Sequence, residues 1–127
     1  MAAEDLTDAT ALELAALIRT KQMSPVEVVA HFLNRIEHYE GQINAFITVA
    51  AEGAMTSANR AGAAGIAGDP LGPLHGVPIG IKDLNATKGI TTTYGSLVQQ
   101  DNVPDTDDIM VERIKAAGAI IVGKTNT

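Results

Sequence analysis

Ala119-Ile120-Ile121-Val122, held between Gly118 and Gly123, is the stretch that most restricts the fold. Four apolar residues in a row leave no face for water. Such a strand is buried on both sides, as in a parallel sheet covered by helices, and it needs neighbours on both edges. A helix leads into it. Thr106-Asp107-Asp108 opens that helix with acids in the first turn, where the dipole favours them. Its stripe is Ile109, Met110, Ile114 and Ala117, and Gly118 ends it.

The upstream pattern fits the same architecture. Thr7 or Thr10 caps a short amphipathic helix within residues 7–20. Ser24-Pro25-Val26-Glu27 is a stronger start, with a cap, a Pro at the first helical position and a Glu three residues after the cap. Val29, Phe32, Leu33 and Ile36 make the stripe of a helix from residue 25 to about 40 that stops near Gly41. Asn44 to Val49 alternates as a short strand. Residues 50–67 are an Ala-rich helix carrying three glycines, and Gly68-Asp69-Pro70 and Gly72-Pro73 are turns. Val77 to Ile81 is a short buried strand ending at Lys82. Residues 84–104 are irregular.

Helices and strands in alternation predict an α/β fold. The chain has 127 residues, enough for one domain. It divides into a helical N-terminal segment over about 7–41 and an α/β part over about 44–127. Three candidate strands hardly surround a fully buried one. The sequence therefore reads as the opening portion of a larger α/β protein.

Composition removes several functions. With 9 Lys plus Arg against 15 Asp plus Glu, the net charge of −6 argues against a general affinity for nucleic-acid phosphates. Two Phe and two Tyr with no Trp give no stacking platform for single strands. The absence of cysteine excludes disulfides, thiolate metal sites and a cysteine nucleophile. No apolar run reaches the length of a membrane span. Met1-Ala2-Ala3-Glu4-Asp5 lacks the basic and apolar regions of a signal peptide, so a cytoplasmic address is expected.

Gly118 to Thr125 matches the phosphate-loop pattern G-x-x-x-x-G-K-[ST]. The context is wrong, because that loop follows a strand and opens a helix. Here a helix precedes and the middle residues are themselves the strand. Gly118 reads as a helix C-cap and Gly123 as a turn at a strand end. His31, His38 and His75 lack metal-ligand spacing, and His31 and His38 read as solvated. Asp105, Asp107 and Asp108 are explained by helix capping. Among the serines, Ser24 is a cap, Ser57 lies in the Ala-rich helix and Ser96 is a turn residue outside any nucleophile elbow.

Lys82 is the unusual residue. It ends an apolar strand and, by alternation, faces the same side as Gly80 and Pro78. Loss of solvation there favours a neutral amine, which can act as general base or nucleophile. The alternative is an ammonium that snorkels to water or pairs with Asp83 or Asp107. Spacing alone favours the alternative.

Leu74-His75-Gly76-Val77-Pro78-Ile79-Gly80-Ile81-Lys82-Asp83 resembles the segment that carries the catalytic lysine in the amidase signature family. The likeness continues through Gly89, Thr91-Thr92-Thr93-Tyr94-Gly95-Ser96 and Val111 to Asn126, and Ser24-Pro25-Val26-Glu27 sits where the family's second N-terminal helix begins. The resemblance implies the N-terminal part of the amidase signature fold, a mixed sheet covered by helices and incomplete in this chain. It implies amide hydrolysis by a Ser–cis-Ser–Lys triad with Lys82 as the lysine, and no metal or other cofactor. The two family serines lie further along than Thr127, and none of Ser24, Ser57 or Ser96 matches them. Asp108 stands where the family usually has a small apolar residue. The chain alone is expected to be inactive, and the substrate of the complete protein is expected to be a small amide. Two alternatives stand beside this reading. One is the amidase subunit of a tRNA-dependent amidotransferase. The other is a non-catalytic module that docks or self-associates through its unfinished sheet. The resemblance also implies a homodimer paired through the N-terminal helices.

Overall fold

Two capping boxes start the first two helices of the computed structural model, which describes residues 5–127. Thr10 accepts the Glu13 N–H while the Glu13 carboxylate accepts the Thr10 N–H, and this opens α1 (Ala11–Arg19). Ser24 and Glu27 repeat the arrangement at α2 (Pro25–Ile43), with Pro25 at the first position. There follow β1 (Phe46–Val49), α3 (Ala51–Ala67), β2 (Pro78–Lys82), a 3-10 turn (Leu97–Gln99), α4 (Ile109–Ala116) and β3 (Ile120–Thr125). The signal-peptide reading rests mostly on residues 1–4, which lie outside the described residues. Among the described residues no helix is long and apolar enough to cross a membrane.

The Gly118–Gly123 run becomes the centre of the sheet. The strand order is β1-β3-β2, with β2 parallel and β1 antiparallel to β3. All of β3 from Ile120 to Lys124 is buried. Alternation divides its side chains between two layers. Ile120 and Val122 pack with Val29 of α2 and Ala54 and Ala58 of α3. Ile121 packs with Ile81 and with Val111 of α4 on the other face. A third cluster joins Leu14, Ala15 and Ile18 of α1 to Val28 of α2 and Val77. Each fully buried Val or Ile in these layers contributes about 1.5–3 kcal/mol of transfer free energy.

Several local expectations are corrected. Gly41 lies inside α2, and the helix ends at Asn44, whose left-handed φ of 47° supplies the turn. Gly123 is not a strand-end turn but sits within β3, where an added Cβ would stand 2.4 Å from the Thr48 carbonyl oxygen. The apolar stripe of α4 is rotated: Val111 is buried, while Ile109 is 67% and Met110 39% exposed. Asp108 occupies the N-cap position without making a side-chain cap bond. Its carboxylate accepts instead from the Ala86 N–H at 3.0 Å and Asn85 Nδ2 at 3.3 Å. Asp107 pairs with Lys115 at 2.8 Å and accepts the Lys88 N–H at 2.6 Å. These acids tie the loop after β2 to α4 rather than capping the helix. His38 is exposed as expected, but His31 Nε2 is buried without a hydrogen-bond partner and its ring sits edge-on to Phe32. His75 donates from Nε2 to the Ala61 carbonyl at 3.0 Å.

Candidate functional site

The C-terminal ends of β2 and β3 lie side by side, with Ile81 opposite Lys124 and Lys82 opposite Thr125. Parallel pairing thus brings two lysines and Asp83 to one end of the sheet. Gly80 makes the approach close: a Cβ there would stand 2.9 Å from Thr125 Cγ2 and 3.2 Å from the Phe46 ring. Lys82 follows Gly80 by two residues and shares that face.

Lys82 is exposed, as the alternative favoured by spacing had it, and its amine is not desolvated among the described residues. No further strand flanks β2 among the described residues, so nothing covers its last side chain. The Lys82 amine makes no hydrogen bond or ion pair among the described residues, and neither Asp83 nor Asp107 is its partner. No serine reaches it by a hydrogen bond either. Ser24 and Ser96 spend their hydroxyls on the N–H groups of Glu27 and Val98, and Ser57 lies within α3.

The buried lysine is Lys124, whose side chain is fully enclosed. Its ammonium donates to the Asn85 carbonyl at 2.8 Å and to Thr92 Oγ1 at 2.7 Å. It lies 3.8 Å from the Asp83 carboxylate, which is also buried. That carboxylate accepts from the Thr93 N–H at 3.1 Å and from the Thr93 hydroxyl. Thr92 Oγ1 donates in turn to the Ile90 carbonyl at 3.1 Å. Burial pushes the Lys124 amine below its ordinary range, and the charges of Asp83 and Asp108 oppose that shift.

Sequence reasoning met Lys124 in a false phosphate loop and inside the family-like stretch from Val111 to Asn126, and assigned it no role. The rejection of that loop stands, since α4 precedes Gly118 and β3 occupies the middle of the pattern. A usable signal was present nonetheless. Two apolar strands end in Lys82-Asp83 and in Lys124, and parallel pairing sets opposite charges together. Among the described residues no group of His, Asp or Glu could hold a metal ion.

The arrangement can be compared with known proteins. The family profile described as Amidase matches residues 27–127. A glutamyl-tRNA(Gln) amidotransferase subunit of Salinispora tropica is 43% identical over 122 residues, which cover 96% of this chain and 25% of that protein. The peptide amidase of Stenotrophomonas maltophilia superposes with a TM-score of 0.89 at 28% identity, over 95% of this chain and 25% of the other. A bacterial aryl acylamidase of the amidase signature family gives 0.87 at 28% identity, over 93% and 25%. The chain therefore spans about a quarter of the length of the relatives it matches. With the profile running from the first turn of α2 through β3, across both lysine-bearing strand ends, the chain belongs to the amidase signature family.

Proposed function

We propose that Lys82 is the general-base lysine of an amide hydrolase whose two serines lie outside these residues. The observation that carries the reading is the place of Lys82 at the end of β2, within the residues that the Amidase family profile matches, with the following loop tied down by Lys124 and Asp83. A neutral Lys82 takes the proton of a bridging serine. That serine takes the proton of the nucleophilic serine, whose oxygen attacks the amide carbonyl. The C–N bond breaks, the amine leaves with a proton, and water or an acceptor amine releases the acyl group. Residues brought over Lys82 would supply the desolvation that the exposed amine lacks.

A second reading is favoured by one comparison. Amidotransferase subunits reach 44% identity, above the 26–31% of matching solved structures. In this reading the same chemistry releases ammonia from an amide donor and passes it to a partner protein. The acceptor of the acyl group or the ammonia separates the two readings, while Lys82 serves both. A homodimer and a cytoplasmic address belong to the proposal as well.

The test uses the polypeptide carried to the length of its relatives. Lys82→Ala is expected to lower the rate of aryl-amide hydrolysis, or of ammonia release from glutamine, by about 10²–10⁴-fold. A cooperative thermal transition in the variant shows that it folds, so that the loss is one of chemistry. Undiminished activity in the variant would remove Lys82 from the mechanism.

A further inference from the structure

Lys124 has the largest fully buried side chain among the described residues. Burying an ammonium is costly, and an apolar residue of the same shape would pack there without that penalty. Its contacts show what it holds. Asn85, Thr92 and Asp83 all lie within the ten residues that follow Lys82, and Lys124 touches each of them from the neighbouring strand.

Asp83 is the link to Lys82. Its N–H donates to the Thr125 carbonyl at 3.0 Å, and its carbonyl accepts the Tyr94 N–H at 2.9 Å. Its carboxylate is engaged by Thr93 and by Lys124. Every polar group of the residue after Lys82 is therefore occupied. The Lys82 carbonyl is occupied too, by the Asn85 N–H at 3.0 Å. A peptide pinned on both sides cannot rotate, and the direction of the Lys82 Cα–Cβ bond is set by it.

We propose that Lys124 is a positioning residue for Lys82: its buried ammonium, through Asp83 and the Thr92 hydroxyl, fixes the backbone that aims the Lys82 amine. The inference rests on the role given to Lys82 above. The penalty of a buried charge is exchanged for geometric accuracy at a neighbouring side chain, where a displacement near 1 Å costs on the order of 100-fold in rate.

Lys124→Met strands the Asp83 charge and can prevent folding, so the decisive variants are at Thr92. Thr92→Val keeps the buried shape and the charge balance but removes one of the two hydrogen-bond acceptors of Lys124. Thr92→Ser keeps the acceptor and loses a methyl group. Both are made in the same longer polypeptide, beside Lys82→Ala, with rates divided by the concentration of active sites from an acyl-enzyme burst. Thr92→Val is expected to lower kcat about tenfold or more with KM nearly unchanged. Thr92→Ser is expected to restore it. A role in packing alone reverses that order, because Val fills the site better than Ser. Wild-type kcat in Thr92→Val, or an equal loss in Thr92→Ser, overturns the positioning role. If Lys82→Ala is inactive while Thr92→Val is normal, only this inference falls. If Lys82→Ala is active, the function proposed for Lys82 falls and takes the positioning role with it.

Discussion

Lys82 and Lys124 divide between them what the sequence promised for a single lysine. One carries the family's motif and is exposed. The other carries the desolvation and lies in the family-like stretch from Val111 to Asn126 without an assigned role. Removing one member of a buried pair leaves an uncompensated charge, so Lys124→Met is expected to cost about 3–5 kcal/mol of stability. The double variant Asp83→Asn with Lys124→Met should recover more than half of that loss. Urea unfolding of both variants measures the difference, and equal losses would show that the pair's charges do not interact. Strand alternation put Lys82 on the face of Gly80 and Pro78, and the irregular register between Ile79 and Gly80 interrupts that alternation before Gly80. Alternation could not say which strand end is covered, because coverage depends on segments far away in sequence. Thr92 and Asn85 reach Lys124 across 32 and 39 residues, and no local pattern encodes such contacts.

Helix starts were legible because a cap is a local device. Thr10–Glu13 and Ser24–Glu27 need only four residues each, and both boxes form where the spacing placed them. Helix ends and faces were less so. Asn44 ended α2 in place of Gly41, and the stripe of α4 turned toward Val111 because β2 and β3 lie there. The boxes also carry a pH dependence. Hydrogen bonds from the Thr10 and Ser24 backbone N–H groups, then from their side chains, hold the Glu13 and Glu27 carboxyls below their ordinary value of 4.5. Their folded values are lower than their unfolded ones. Stability from them is therefore complete above 4.5 and is lost as pH falls through the lowered values. Glu27→Gln keeps a capping side chain without a titratable group. Its thermal midpoint, followed by circular dichroism, should fall less steeply with acid than that of the unaltered chain. Parallel slopes would mean that this cap does not contribute to the acid limb.

The whole molecule presents more apolar surface than its layers need. Leu97 and Val98 are 85% and 90% exposed on the turn after Ser96, and Ile43, Ile47 and Val49 are exposed beside the β1 edge. Exposed apolar patches and an unpaired strand edge favour association. Sedimentation velocity over a wide dilution series should show an apparent mass that rises with concentration. A constant monomer would mean that these surfaces are too scattered to associate. The family itself was legible at this scale because its motifs fall in order along the chain and need no knowledge of contacts. The mixed pairing of the sheet was legible only through that resemblance, since the apolar run of β3 does not reveal which neighbour is antiparallel. The position of β3 has a consequence for biosynthesis. It is the central strand, yet it is made after both strands that flank it. On the ribosome, Phe46 waits for Thr125 and Ile81 waits for Lys124. Two outer strands therefore leave the exit tunnel with a gap between them, and the nascent chain keeps open hydrogen-bonding edges until that gap is filled. A chaperone that shields strand edges has its window there.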